Sequence, residues 1–140
     1  MERIFSKKKR RELINYVTFW LAYHTGHGPE RIKVSSNSEV VVIDVSGILT
    51  PLEKTLLYLC SDFETVYQIR KSIADKFSAD WMDVAQKQFG FILNAVIGQV
   101  NLCSDRMTLF CKVEKSDLKM VGKRQVRTKI TIYHNLSHGD

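Results

Sequence analysis

The sequence predicts an α+β fold, an antiparallel sheet of four or five strands with helices packed on one face. Three observations predict it. Residues 31–46 and 99–114 each carry apolar side chains at alternate positions around a short polar turn, as hairpin strands do. Stretches of helical apolar spacing precede and separate them. The two hairpins also superpose at a constant shift of 68 residues, carrying Ile32 onto Val100, Val34 onto Leu102, Val41 onto Leu109, Ile43 onto Cys111 and Val45 onto Val113. That shift carries 13–25 onto 81–93, helix onto helix, so the expected order is an αββ-α-αββ pseudo-repeat. The 140 residues suit one domain, 1–140, with its core over about 8–114 and a basic extension over 115–140.

The first helix is expected over 8–25, taking hold near Ser6 or Lys9. Leu13, Val17, Trp20, Leu21 and His24 share one stripe at helical spacing. Ile14, Tyr16, Phe19 and Tyr23 widen the apolar surface, and a helix that apolar is covered on more than one side. The other helices can supply that cover, and so can a second subunit; the expected assembly is a homodimer. Gly26 stops the helix, and Gly28-Pro29 sets an extended approach to the first strand near 31–35. The second strand is expected near 39–46. With Asn37-Ser38 as the turn, Val34 faces Val41 and Ile32 faces Ile43. The apolar side chains, Val45 included, then share one sheet face, and Arg31, Lys33 and Asp44 share the other.

A strong helix start follows. Thr50 can accept from the backbone of Glu53, Glu53 can reach back, and Pro51 suits the first helical position. The helical pattern covers 50–77 with a break near Ser61-Asp62, where Ser61 and Glu64 repeat the capping-box spacing. Val66, Ile69, Ile73 and Phe77 are the expected buried stripe; Glu64, Arg70, Lys71 and Asp75 mark the wet side. A third long helix is expected over 79–97, capped by Ser78 and ended by Gly98, with Met82, Ala85, Phe89, Ile92 and Val96 inward. Strands near 99–104 and 108–114, joined at Asp105-Arg106, put Cys111 in the core and Cys103 outside it. Val126, Thr128, Ile130 and Ile132 then alternate with polar residues, a pattern for an added edge strand.

The run Gly26-x-Gly28-Pro29-Glu30, then Ile32-x-Val34, Val41-Val42-x-Asp44 and Gly47-x-Leu49-Thr50-Pro51-x-Glu53-Lys54, resembles the small bacterial MpsC-like family. That family is catalogued as a domain of unknown function and takes its name from a proposed link to a sodium-translocating, membrane-potential-generating system. The resemblance covers about 8–114, and its specific part is the Gly-Pro and Leu-Thr-Pro-x-Glu blocks. One departure is visible: Asp62 stands where the family tends to carry glycine. The resemblance implies an accessory or regulatory subunit and brings no catalytic residues. The motif residues Gly26, Gly28, Pro29, Thr50, Pro51 and Glu53 are read as structural.

Net charge is +6, and its placement matters more than its size. Residues 1–11 hold six Lys or Arg against Glu2, and 115–140 hold six against Asp117 and Asp140; the middle is acidic, at −3. Lys7, Lys8, Lys9, Arg10 and Arg11 at one end, and Lys119, Lys123, Arg124, Arg127 and Lys129 at the other, are therefore the expected contacts for an anionic partner. A membrane-associated protein complex or an anionic membrane surface is the expected partner, and nucleic acid is the alternative. Three cysteines without Cys-x-x-Cys spacing point to a reducing, cytoplasmic setting and away from a disulfide framework or zinc site; the family resemblance implies a place peripheral to the inner face of the membrane. No apolar run reaches the ~20 residues of a membrane span.

Candidate chemistry is sparse. The Gly26-x-Gly28 loop follows a helix, so it lacks the helix N-terminus that phosphate loops use. His24 and His27 have a ligand-like spacing, but no thiol or carboxylate clusters with them. Asp44 with Glu30 or Glu39 reads as cross-strand ion pairing with Arg31 and Lys33. No nucleophile–base order stands out, so the reading is a non-enzyme without cofactor or metal. Function narrows to an accessory subunit of a membrane cation-transport system, a nucleic-acid-linked regulator, or a small-ligand sensor.

Overall fold

The computed structural model describes residues 6–114 and the backbone of 129–134. Its elements run α1 (Lys7–Thr25), β1 (Arg31–Ser36), β2 (Val40–Ser46), α2 (Pro51–Tyr58), α3 (Phe63–Val84), a π-helical turn (Ala85–Phe89), β3 (Leu93–Asn101), β4 (Arg106–Val113) and β5 (Lys129–His134). The strand order is β1-β2-β4-β3-β5. The first four strands are antiparallel to their neighbours, which gives the expected α+β class. The fifth strand departs from the expected antiparallel sheet: β5 lies parallel to β3, Ala95 beside Lys129 and Val100 beside His134.

One core joins the helices to one sheet face. Ser6 caps α1 by accepting from the Lys9 N–H, and Leu13, Val17, Trp20 and Leu21 turn inward. Tyr16 and Trp20 pack on Phe77, setting α1 against α3. The Trp81 indole N–H donates to the Cys111 sulfur at 3.3 Å, setting α3 against β4. Val34, Val41, Ile43 and Val45 are buried, as their alternation requires.

The first register differs from the expected one by two residues. Val34 pairs with Ile43 and Ile32 with Val45. The Asn37 carboxamide accepts from the N–H groups of Glu39 and Val40, so the turn is longer than two residues. A two-residue slip leaves each side chain on its face, because the strand period is two. In the second hairpin the turn takes 102–105, with Asp105 at φ 55, and Val100 pairs with Met107. The pseudo-repeat therefore fails in register. A shift of the first hairpin would pair Val100 with Val113, but Val113 pairs with Leu93.

The expected third helix is the largest correction. No helix begins at Ser78; that residue is buried inside α3, which runs on to Val84. The π-helical turn then swings Phe89 back against Trp81, at 5.5 Å between ring centres, and Gly90 at φ 79 ends the helix. Residues 93–97 are strand. A bulge between Leu93 and Ala95 turns both Leu93 and Val96 inward, three residues apart, which imitates helical spacing. Gly98, expected as a stop, lies buried within β3. The break before α3 is where the sequence puts it, but Asp62 is the cap, accepting from the Thr65 N–H. Asp62 has φ −98, so this departure from glycine costs nothing; the left-handed residue is Ser61.

Burial also divides the thiols. Cys111 is buried, and desolvation pushes its pKa up to about 12 against the lowering effect of the Trp81 hydrogen bond, while Cys60 and Cys103 are exposed. Titration of the native protein with a thiol reagent is expected to modify two cysteines quickly and the third only on unfolding. Rapid modification of all three would contradict this packing.

Candidate functional site

The motif residues build a polar corner between sheet and helices. Gly26 adopts φ 75 and closes α1 by donating to the Ala22 carbonyl. Thr25 binds the carbonyls of Leu21 and His27 through its hydroxyl and accepts from the His27 N–H, so the loop before Gly28 and Pro29 is held by its own bonds. Glu30 donates its N–H to Ser46, and its side chain lies over Gly47, where φ is 69 and an added Cβ would overlap it. Glycine is required there for both reasons.

After Gly47 the chain is anchored from the far hairpin. The Asp105 carboxylate accepts from the N–H groups of Ile48 and Leu49 at 2.8 and 2.9 Å, and its carbonyl accepts from Gly47. Thr50 then opens α2 with the full capping box, its oxygen accepting from the Glu53 N–H and Glu53 accepting from the Thr50 N–H. Pro51 takes the first turn.

Glu53 also meets a partner that the sequence reading placed on the wet side. Arg70, 1% exposed, donates through both Nε and Nη2 to the two oxygens of Glu53, which is 3% exposed. Burial alone would raise the Glu53 pKa; the hydrogen bonds from Arg70 and Thr50 outweigh it and hold the carboxyl below its usual range. Ile69, expected inside, is exposed. The pair thus fastens α2 to α3.

The open sheet face carries a second ion pair, Arg106 with Asp44, and Thr108 also donates to Asp44. This replaces the expected pairing with Arg31 and Lys33. Phe110 is exposed on that face, between Val42 and Ile97.

The basic end of α1 divides in two. Lys9 is engaged: it bonds the Gln88 carbonyl, pairs with Glu12 at 3.4 Å and sits over the Phe89 ring. Lys7, Lys8 and Arg11 are exposed and Arg10 is half-buried. Farther along, Phe19 and Tyr23 are 71% and 75% exposed and stack on each other. Lys123, Arg124 and Arg127 lie outside the described residues, as does Lys119; Lys129 begins β5. His24 stacks on Trp20 at 4.1 Å, and among the described residues no three His, Cys, Asp or Glu side chains gather as a metal site.

Residues 6–115 match the family described as Na+-translocating membrane potential-generating system (MpsC). The chain belongs to the MpsC family. The MpsC name links the family to a Na+-translocating system that generates a membrane potential. No curated relative and no solved structure matches the chain. The MpsC match takes in both the polar corner and α1, while β5 lies beyond it. No described helix is long and apolar enough to cross a membrane. Arg70 and Asp105, which complete the corner, were missed in the sequence. Arg70 had a signal, for Val66, Arg70, Ala74, Phe77 and Trp81 repeat at helical spacing. Asp105 had none.

Proposed function

We infer that this protein is an accessory or regulatory subunit of a membrane cation-transport system, held at the inner face of the membrane by a partner. The observation that carries this reading is the MpsC match, which spans 110 of the 140 residues. The polar corner supports it. Its groups are consumed in joining α2 to α3 and the 47–49 turn to the far hairpin, as in a rigid interaction scaffold. The test is affinity purification of a tagged copy from its own host, without detergent-resistant crosslinking. An integral membrane protein is expected to co-purify, and loss of the gene is expected to lower sodium-dependent membrane potential. Purification with nucleic acid in its place would favour the regulator reading.

A homodimer is part of this proposal. The apolar surface left for it is narrower than the sequence suggests, because most of α1 is spent on the core. Exposed Leu52, Tyr58 and Leu59 at α2 remain. Light scattering is expected to give twice the chain mass at micromolar concentration, with about 1,000 Å² or more buried in total. A monomer throughout that range would remove the dimer from the proposal.

A further inference from the structure

We propose that the outer face of α1 lies along an anionic phospholipid surface, its basic turns at the headgroups and the Phe19–Tyr23 pair at the interface. The inference rests on the preceding reading only in taking the membrane as the place of action. Three observations lead to it.

First, Lys8, Glu12, Asn15, Phe19 and Tyr23 follow one another at helical spacing on the side away from Leu13, Val17 and Trp20. That face therefore presents Lys8, flanked by Arg11, at one end and the rings of Phe19 and Tyr23 about 16 and about 22 Å farther along the axis, with the Lys9-paired Glu12 between them. Second, the cations stand where they harm the isolated helix. The N-terminus of a helix carries partial positive charge, and α1 has no acidic residue in its first turn. Glu12 is paired with Lys9, and among the described residues Lys7, Lys8, Arg10 and Arg11 have no ion-pair partner. Anionic headgroups would satisfy both the side chains and the helix end. Third, Phe19 and Tyr23 are stacked, 6.4 Å between ring centres and 19° between planes, and both stay largely exposed although Tyr23 also meets the His24 ring edge-on at 5.0 Å. Aromatic side chains of this kind are favoured at the membrane–water interface.

The test uses the full chain and vesicles of phosphatidylcholine with or without roughly a third of phosphatidylglycerol, a charge-attraction assay. Binding to the anionic vesicles is expected to be at least tenfold tighter and to weaken with salt. Each lysine or arginine near the surface contributes about fivefold, so Lys8→Glu with Arg11→Glu is expected to weaken binding more than 20-fold. The same pair should raise thermal stability slightly, because it relieves the helix end. Binding down with stability up is a combination that loss of folding cannot produce. Phe19→Ser with Tyr23→Ser should also weaken binding while leaving the circular dichroism unchanged. Unchanged vesicle binding in both variants overturns the proposal. So does a dimer that dissociates in the Phe19/Tyr23 variant, which would assign the face to a second copy. Equal affinity for duplex DNA, lost in the charge variant, would assign it to nucleic acid and overturn it as well. If the wild-type chain ignores vesicles yet still co-purifies with an integral membrane protein, the lipid inference fails and the accessory-subunit reading stands.

Discussion

Replacing Arg70 with methionine is expected to lower the thermal midpoint by roughly 10–15 °C, the consequence of losing about 3–5 kcal/mol in a chain of this size. The loss does not measure the attraction of the pair. It comes from stranding the Glu53 carboxylate, 3% exposed, without the guanidinium that satisfies both its oxygens. Adding Glu53→Gln should recover much of it, because glutamine has no charge to strand and keeps an acceptor for the Thr50 N–H. The pH dependence has a definite sign. The folded Glu53 pKa lies below its unfolded value, so its contribution is complete above the ordinary carboxyl range near ~4.3 and fades as pH falls through the folded value. In Arg70→Met only burial and the Thr50 donors act on Glu53, and burial raises its pKa. The deficit of that variant should therefore be largest at neutral pH and shrink toward pH ~4. Thermal melts at several pH values check both statements, and a deficit that grows with acidity would contradict them.

The second large effect is expected at Asp105. Asp105→Ala strips the acceptor from two buried N–H groups, those of Ile48 and Leu49, and leaves alanine at φ 55. About 3 kcal/mol should be lost. Asp105→Asn should cost little, since it keeps an acceptor and tolerates the left-handed region. Asp105→Gly accepts that backbone but lacks the acceptor, so its loss should resemble that of alanine. Urea unfolding of the three variants separates hydrogen bonding from conformation. If glycine proves as stable as asparagine, the carboxylate bonds are not what secures the corner. Gly47→Ala should fail for a different reason, the Glu30 side chain lying where the methyl group would go.

Legibility followed the range of the interaction. Local chemistry was readable: the Thr50–Glu53 box, the Ser6 start, the Gly26 stop and the facing of the first hairpin all depend on residues a few positions apart. The added edge strand was readable from alternation over 126–132, but its parallel pairing was not, because alternation carries no direction. The end of α3 was misread where a π-helical turn and a bulge each add a residue and disturb the period. In the corner, Thr50, Pro51 and Glu53 were found, but Arg70, the partner of Glu53, lies 17 residues away, and Asp105, which holds the Ile48 and Leu49 N–H groups, lies 57 and 56 residues from them. Charge pattern placed Arg70 in water because arginine is seldom buried without a partner, and the partner belonged to another helix. The α1 face was visible as a basic run and an apolar excess; only the packing of Leu13, Val17 and Trp20 shows which rings are left outside.

The strand order has a consequence for how the molecule is made. The β1–β2 hairpin and α1 leave the ribosome first, yet the strand beside β2 is β4, whose pairing partners lie 60 to 72 residues later in the chain. Cys111, which seats Trp81, also lies near the end of that span. Until β4 has been synthesised, the β2 edge has no native partner, and the apolar sheet face is covered only in part, by helices made before it is complete. At ordinary translation speeds of about 5–20 residues per second, that exposure lasts several seconds. The nascent chain is thus expected to need shielding during this interval, and a premature stop before residue 106 is expected to yield a product with an open β-edge, prone to self-association, not a smaller working domain.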